Sequence, residues 1–158
     1  MEAGDFDEIE FFRAIAASGA RTLLIGRRAL VLLGLPVLTA DYDFWIHIDD
    51  IDRFNAAVEG FGLRPTRTPE QARHVGRYVL ENDEHVDVLV ARSVATAEGV
   101  PVVFDALWSE RRAVRIASDV LVDIPTVAGL ILTKRIALRP KDLEDIRLLE
   151  VIRSEETQ

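Results

Sequence analysis

The sequence contains no cysteine. Disulfide frameworks and thiolate-bound zinc are thereby excluded, and the lack of cross-links fits a cytoplasmic protein. Histidine is scarce too: His47, His74 and His85 lie far apart and show no H-E-x-x-H spacing. The longest apolar stretch, Val120 to Leu132, is interrupted by Asp123 and Pro125. It falls short of the roughly 20 residues that span a bilayer, so no membrane association is expected. The first residues, Met1-Glu2-Ala3-Gly4-Asp5, are acidic and lack the basic and apolar regions of a signal peptide. Positive charge is in deficit, with 19 Lys and Arg against 27 Asp and Glu, net −8. That balance opposes non-specific binding along a polyanion. It leaves room for a nucleotide or an RNA end at a local basic or metal-bridged site.

What is present is an ordinary globular composition, 49% hydrophobic and 29% charged over 158 residues, enough for one domain with a substantial core. Ile9, Phe12, Ile15 and Ala16 recur near helical spacing in Asp7 to Ala17, which Ser18-Gly19 ends. Leu23 to Gly26 reads as a short strand, Arg27 to Leu33 as a helix closed by Gly34, and Asp41 to Ile48 as a strand. Asp49-Asp50 is placed to cap a helix through Val58. Arg77–Glu81 and Glu84–Ala91 read as strands around an Asn82-Asp83 turn, and Ala113–Ile116 and Val120–Ile124 as a second hairpin. Thr126–Leu138 and Pro140–Arg153 are two C-terminal helices, Pro140 fitting a first helical position. Five or six strands interleaved with helices imply a mixed β-sheet in an α/β (α+β) layer fold. A single domain over 1–158 is expected, its core at about 20–124 and a small helical appendage at about 126–153.

The chemistry concentrates in Asp41-Tyr42-Asp43-Phe44-Trp45-Ile46-His47-Ile48. Strand side chains alternate, so Asp41 and Asp43 share one face while Tyr42, Phe44, Ile46 and Ile48 bury the other. Adjacent carboxylates repel unless water or a cation screens them. Two hard oxygen ligands suit Mg²⁺, which takes one or two carboxylates and fills its other positions with water and phosphate. The plain alternative is a solvated acidic pair, since Asp is common here and favours turns. Asp87, in His85-Val86-Asp87-Val88-Leu89-Val90, points away from the face of Val86, Val88 and Val90. It is either an edge-strand residue facing water or a third carboxylate. If its strand pairs with that of Asp41 and Asp43, the three converge. They suffice for metal ions about 4 Å apart and for a proton acceptor.

In order, Gly26-Arg27-Arg28-Ala29, then Gly34-Leu35-Pro36-Val37-Leu38-Thr39-Ala40-Asp41-Tyr42-Asp43, then Asp87, then Lys134 and Arg139-Pro140-Lys141-Asp142-Leu143-Glu144-Asp145 make a recognisable series. It resembles the polymerase-beta-like nucleotidyltransferase superfamily, and within it the small bacterial branch related to abortive-infection and toxin–antitoxin nucleotidyltransferases. The resemblance covers roughly Leu23 to Leu149. It implies a nucleotidyltransferase core and catalytic Asp41, Asp43 and Asp87 holding Mg²⁺ (or Mn²⁺). It also implies an NTP bound by Gly26, Arg27, Arg28, Thr39 and Lys134, with Arg139, Asp142 and Asp145 in support.

Two positions depart from that pattern. Arg27 stands where the family has a second glycine, and Val37 where it has arginine. Arg27 or Arg28 is placed to restore charge by a bidentate phosphate contact. Without the family, Lys134, Arg139, Lys141, Asp142 and Asp145 read as a solvated, salt-bridged helix face. The leading expectation is transfer of an NMP from an NTP to a hydroxyl of RNA, protein or a small molecule. The rivals are a catalytically impaired binding or regulatory module with a protein partner or a second copy of itself, and a metal-dependent phosphodiesterase.

Overall fold

A computed structural model of the chain describes residues 6–156; the acidic run at residues 1–5 lies outside the described residues. Helix α1 (Glu8–Ala17) begins where the Asp7 carboxylate accepts the Glu10 N–H at 3.1 Å, and it turns Phe11, Phe12 and Ile15 inward. Strand β1 (Thr22–Ile25) passes directly into α2 (Gly26–Leu32), and β2 (Asp41–Ile46) carries the aspartate pair. Ile48 does not continue that alternation: it falls in a 3-10 turn, Ile48–Asp50, because the strand ends at Ile46. Helix α3 (Ile51–Glu59) has Asp50 at its N-cap position without a side-chain cap bond. The Asp50 carboxylate instead accepts the Arg21 backbone N–H at 2.9 Å and its Nε at 2.8 Å. A charged donor outcompetes a helix amide for the same oxygen.

The order continues with β3 (Arg64–Pro65), α4 (Pro69–Val75), β4 (Arg77–Glu81), β5 (His85–Leu89), β6 (Ser93–Ala95), β7 (Pro101–Val103), α5 (Phe104–Ser109), β8 (Arg112–Ala117), β9 (Val120–Ile124), α6 (Val127–Ala137) and α7 (Pro140–Glu156). Five strands form one mixed sheet in the order β1-β2-β5-β4-β3. Only β2 and β5 run parallel; the other neighbours are antiparallel. The hairpins β6–β7 and β8–β9 are separate two-stranded sheets. The second of these is the hairpin expected from Ala113–Ile116 and Val120–Ile124. It lies outside the main sheet, and Val120, Val122 and Ile124 bury into the same core.

Alternation along the sheet separates two apolar clusters. Leu24, Tyr42, Phe44, Ile46, Tyr78, Leu80, Val86 and Val88 face the larger one, with α1 and α3 packed over them. On the reverse face Leu23 and Trp45 are buried with Val102, Phe104 and Leu107. Trp45 is fully buried, and its Nε1 donates to the Ala91 carbonyl at 2.9 Å. This smaller cluster covers one end of the reverse face and leaves the Asp41–Asp43 end uncovered. The C-terminal helices are no appendage. Leu130, Ile131, Ile146 and Leu149 enter the larger cluster while Leu132 and Ile136 of α6 pack on the smaller one. Helix α6 is apolar on several sides, so it is stable only when wedged between two layers. Among the described residues no helix is long and apolar enough to cross a membrane.

Candidate active site

The register between β2 and β5 sets Asp43 directly opposite Asp87, and Asp41 opposite His85. Because facing residues in neighbouring strands project from the same side, the three aspartates share the uncovered face. Asp87 is on an interior strand, so it is not an edge residue; its side chain is 48% exposed into the opening. His85 Nε2 stands 3.2 Å from Asp87 Oδ2. On the other flank Ile25 faces Asp43 across β1 and β2, which brings Gly26 against the Asp43 side chain. A Cβ at position 26 would lie 3.0 Å from the Asp43 Cβ and Cγ, and Gly26 has φ +70°. Both facts demand glycine there.

Burial and its carboxylate neighbours perturb Asp43. Asp43 is pushed up to about 6, first by burial and then by Asp87 and Asp41, with Lys134 partly offsetting the rise. The group holds its proton more tightly because ionising it adds charge to a desolvated, already negative spot.

Helices α6 and α7 form the opposite wall. Lys134 is 7% exposed, with Nζ 2.8 Å from Asp145 Oδ2 and 3.6 Å from Asp142 Oδ1. Arg27 Nε donates to Asp145 Oδ2 at 3.1 Å, and Arg139 Nε to Asp142 Oδ2 at 3.0 Å. Burial favours the neutral form of both acids, but the hydrogen bonds from Arg139 to Asp142, and from Arg27 and Lys134 to Asp145, hold them below the usual carboxylate range. The buried groups are thus an ion network joining α2, α6 and α7. A solvated helix face, the alternative reading, does not describe Lys134, Asp142 or Asp145, all at or below 7% exposure.

No family model matches the chain, and no curated protein matches it in sequence. Solved structures do match. The crystal structure of ANT(2'')-Ia in complex with adenylyl-2''-tobramycin aligns with a TM-score of 0.65 at 17% identity, over 94% of this chain and 88% of that one. The solution structure of the same antibiotic-resistance factor gives 0.61 at 16% identity over the same shares. TM1012 of Thermotoga maritima, described provisionally as a nucleotidyltransferase, gives 0.55 at 15% identity, over 94% and 89% of the two chains. The chain has the nucleotidyltransferase fold. Identities this low carry the fold; the chemistry rests on the residues.

Within this nucleotidyltransferase fold a cleft of about 400 Å³ is lined by Gly26, Arg27, Thr39, Asp41, Asp43, Asp87, Lys134, Arg139 and Asp142. Asp145 lies beneath that wall rather than on it. Arg28 stands apart from the cleft. Its guanidinium lies 4.2 Å from the Tyr42 ring centroid, and Nη2 donates to the Thr39 carbonyl at 3.3 Å. Successive helix positions point about 100° apart, so Arg27 and Arg28 cannot both face the opening. Thr39 braces the strand entrance, its Oγ1 accepting the Asp41 N–H at 3.1 Å. Val37 packs against the larger apolar cluster, an environment that favours an aliphatic side chain over arginine.

The side chains that share this face are hard carboxylate oxygens, the donor type that suits a divalent cation. Among the described residues no three acidic, histidine or cysteine groups are gathered closely enough to enclose an ion unaided. Mg²⁺ needs only one or two carboxylates from a protein and takes its remaining positions from water and phosphate.

Sequence reasoning missed two cleft residues, Arg67 and Arg77. Arg77 was within reach of it, because the β4–β5 hairpin puts Arg77, Val79 and Glu81 on the Asp87 face. Arg67 sits between β3 and α4, where no periodicity points to it.

Proposed function

We propose that this chain is a nucleotidyltransferase that moves an NMP from an NTP to an acceptor hydroxyl and requires Mg²⁺ or Mn²⁺. The observation that carries the reading is the opposition of Asp43 and Asp87 beside Gly26, beneath a cationic wall. The acceptor oxygen forms a bond to the α-phosphorus, the bond to the β-phosphate oxygen breaks, and pyrophosphate leaves with the electron pair. Asp87, the most exposed to the opening of the opposed pair, accepts the hydroxyl proton. Asp41, Asp43 and Asp87 would hold the metal, which when bound neutralises phosphate charge and orients the reactants. Gly26 lets the backbone at the β1–α2 junction come close against Asp43, and Lys134 presents a fixed ammonium. Arg27 contributes through Asp145, locking the phosphate-side wall, and this offers a reason why a glycine is dispensable there. The motif order further supports membership of the branch containing abortive-infection and toxin–antitoxin nucleotidyltransferases.

The test is incubation with each α-labelled NTP, Mg²⁺ and a panel of acceptors, read as label transfer and pyrophosphate release. Asp43→Ala is expected to abolish both while the circular dichroism spectrum stays native. Retained transfer in that variant would overturn the assignment.

A second reading has its own supporting observation. Because Arg27 is engaged by Asp145 and by the Leu38 carbonyl, it is not free for phosphate, as expected of a binding module that has lost turnover. Absence of calorimetric Mg²⁺–NTP binding would favour it.

A further inference from the structure

The sheet order places the reacting centre between two flanks of different character. Gly26 and β1 lie on one side of Asp43 and Asp87, and β4 lies on the other. In an in-line displacement the leaving and attacking oxygens stand on opposite sides of the phosphorus. With the pyrophosphate on the flank of Gly26 and Lys134, the attacking hydroxyl comes in over Asp87 from the β4 flank. That flank carries Arg67 and Arg77.

Cations outnumber carboxylates in the cleft lining, six to four, although the chain as a whole has net charge −8. Three of those cations, Arg27, Lys134 and Arg139, are paired with Asp142 and Asp145. Arg77 differs: among the described residues its guanidinium has no hydrogen bond or ion pair. Arg67 donates Nη1 to the Arg77 carbonyl at 2.9 Å, which fixes one guanidinium against the residue that bears the other and leaves its remaining donors unused. Neither arginine is ion-paired to a carboxylate among the described residues, and guanidinium donors match phosphate oxygens in pairs.

We propose, on the basis of the transferase reading above, that the acceptor carries a phosphate close to its attacking hydroxyl, and that Arg67 and Arg77 bind that phosphate. They are specificity residues of the acceptor side. The same pair disfavours a polycationic acceptor, because ammonium groups brought to this flank would meet uncompensated guanidinium charge. A sugar phosphate and the 3′ end of an RNA both present the required chemistry.

The experiment compares ribose 5-phosphate, a short oligoribonucleotide with a free 3′ hydroxyl, ribose, and tobramycin as acceptors, using the full chain with Mg²⁺ and labelled NTP. Binding of each acceptor is measured separately by calorimetry. A phosphate-bearing acceptor is expected to be used at least about tenfold better in kcat/KM than ribose or tobramycin, and which of the two is used identifies the source. Arg77→Ala and Arg67→Ala each raise the KM for that acceptor about 10- to 100-fold, with the effect on acceptor rather than on NTP affinity; Arg77→Lys recovers part of it. Equal use of tobramycin, or variants that weaken NTP binding instead of acceptor binding, overturns the inference and leaves the transferase reading intact. Conversely, no pyrophosphate release with any acceptor refutes the transferase reading. Arg77-dependent calorimetric binding of the phosphate compounds then still supports the acceptor site, and its absence overturns it.

Discussion

Replacing Asp43 by asparagine should stabilise the protein while disabling it, and the size of the gain should depend on pH. The folded state raises Asp43 from 3.8 to about 6; at about 1.4 kcal/mol per pKa unit the ionised group destabilises the fold by at most about 3 kcal/mol. Well below pH 3.8 the group is protonated in both folded and unfolded chains and contributes nothing. Between about 4 and 6 the folded protein retains a proton that the unfolded chain has released, so stability falls as pH rises. Above that window the full penalty applies. Asp43→Asn removes it, since an amide beside Asp87 carries no charge and offers a donor. The expected gain at pH 7.5 is about 1–3 kcal/mol, or roughly 3–10 °C in Tm for a chain of this length, shrinking to about 0.5 kcal/mol or less near pH 4. Thermal melts followed by circular dichroism at pH 4, 6 and 7.5 measure it, alongside label transfer. Saturating Mg²⁺ and NTP should close part of the gap by stabilising the wild type alone. A variant no more stable than wild type at pH 7.5, or equally stabilised at pH 4, would refute the claim that burying Asp43 beside Asp87 and Asp41 stores this energy.

The glycine at the β1–α2 junction separates backbone strain from a clash with the site. Gly26 and Gly34 both have positive φ, but a Cβ at Gly34 meets nothing within 4 Å. Each alanine substitution should cost about 1–2 kcal/mol in chemical denaturation, and only Gly26→Ala should lose transfer, by more than about 100-fold, because Asp43 must move. Lys134→Met should destabilise by about 2 kcal/mol in urea titrations, less than the roughly 3–5 seen when a buried pair loses its sole partner, because Arg27 and Arg139 still neutralise Asp145 and Asp142.

Much of this molecule was readable from local pattern. Alternation in Asp41–Ile46 predicted which side chains bury, and the structure agrees at Tyr42, Phe44 and Ile46. The Asn82-Asp83 turn and the Pro140 helix start were legible because the relevant chemistry sits within a few residues. Reading failed where partners were remote. Asp50 looks like a helix cap until Arg21 claims its carboxylate. Arg28 looks like a phosphate ligand until Tyr42 provides a ring for it to cover. Taken without the family resemblance, Lys134, Asp142 and Asp145 look solvated, because helical charge patterns do not reveal that two helices meet there.

By itself the sequence determined that Asp41 and Asp43 share a face, that a glycine turn precedes them, and that thiolate chemistry is absent. Those are consequences of the two-residue strand repeat, of backbone sterics and of composition, and they need no distant contacts. The tertiary structure alone decided that Asp87 stands opposite Asp43, that Arg27 serves α7, and that Arg67 and Arg77 face the opening across from Gly26. Strand order and helix docking follow from burying all the apolar surfaces at once, a global condition that no short window of residues contains.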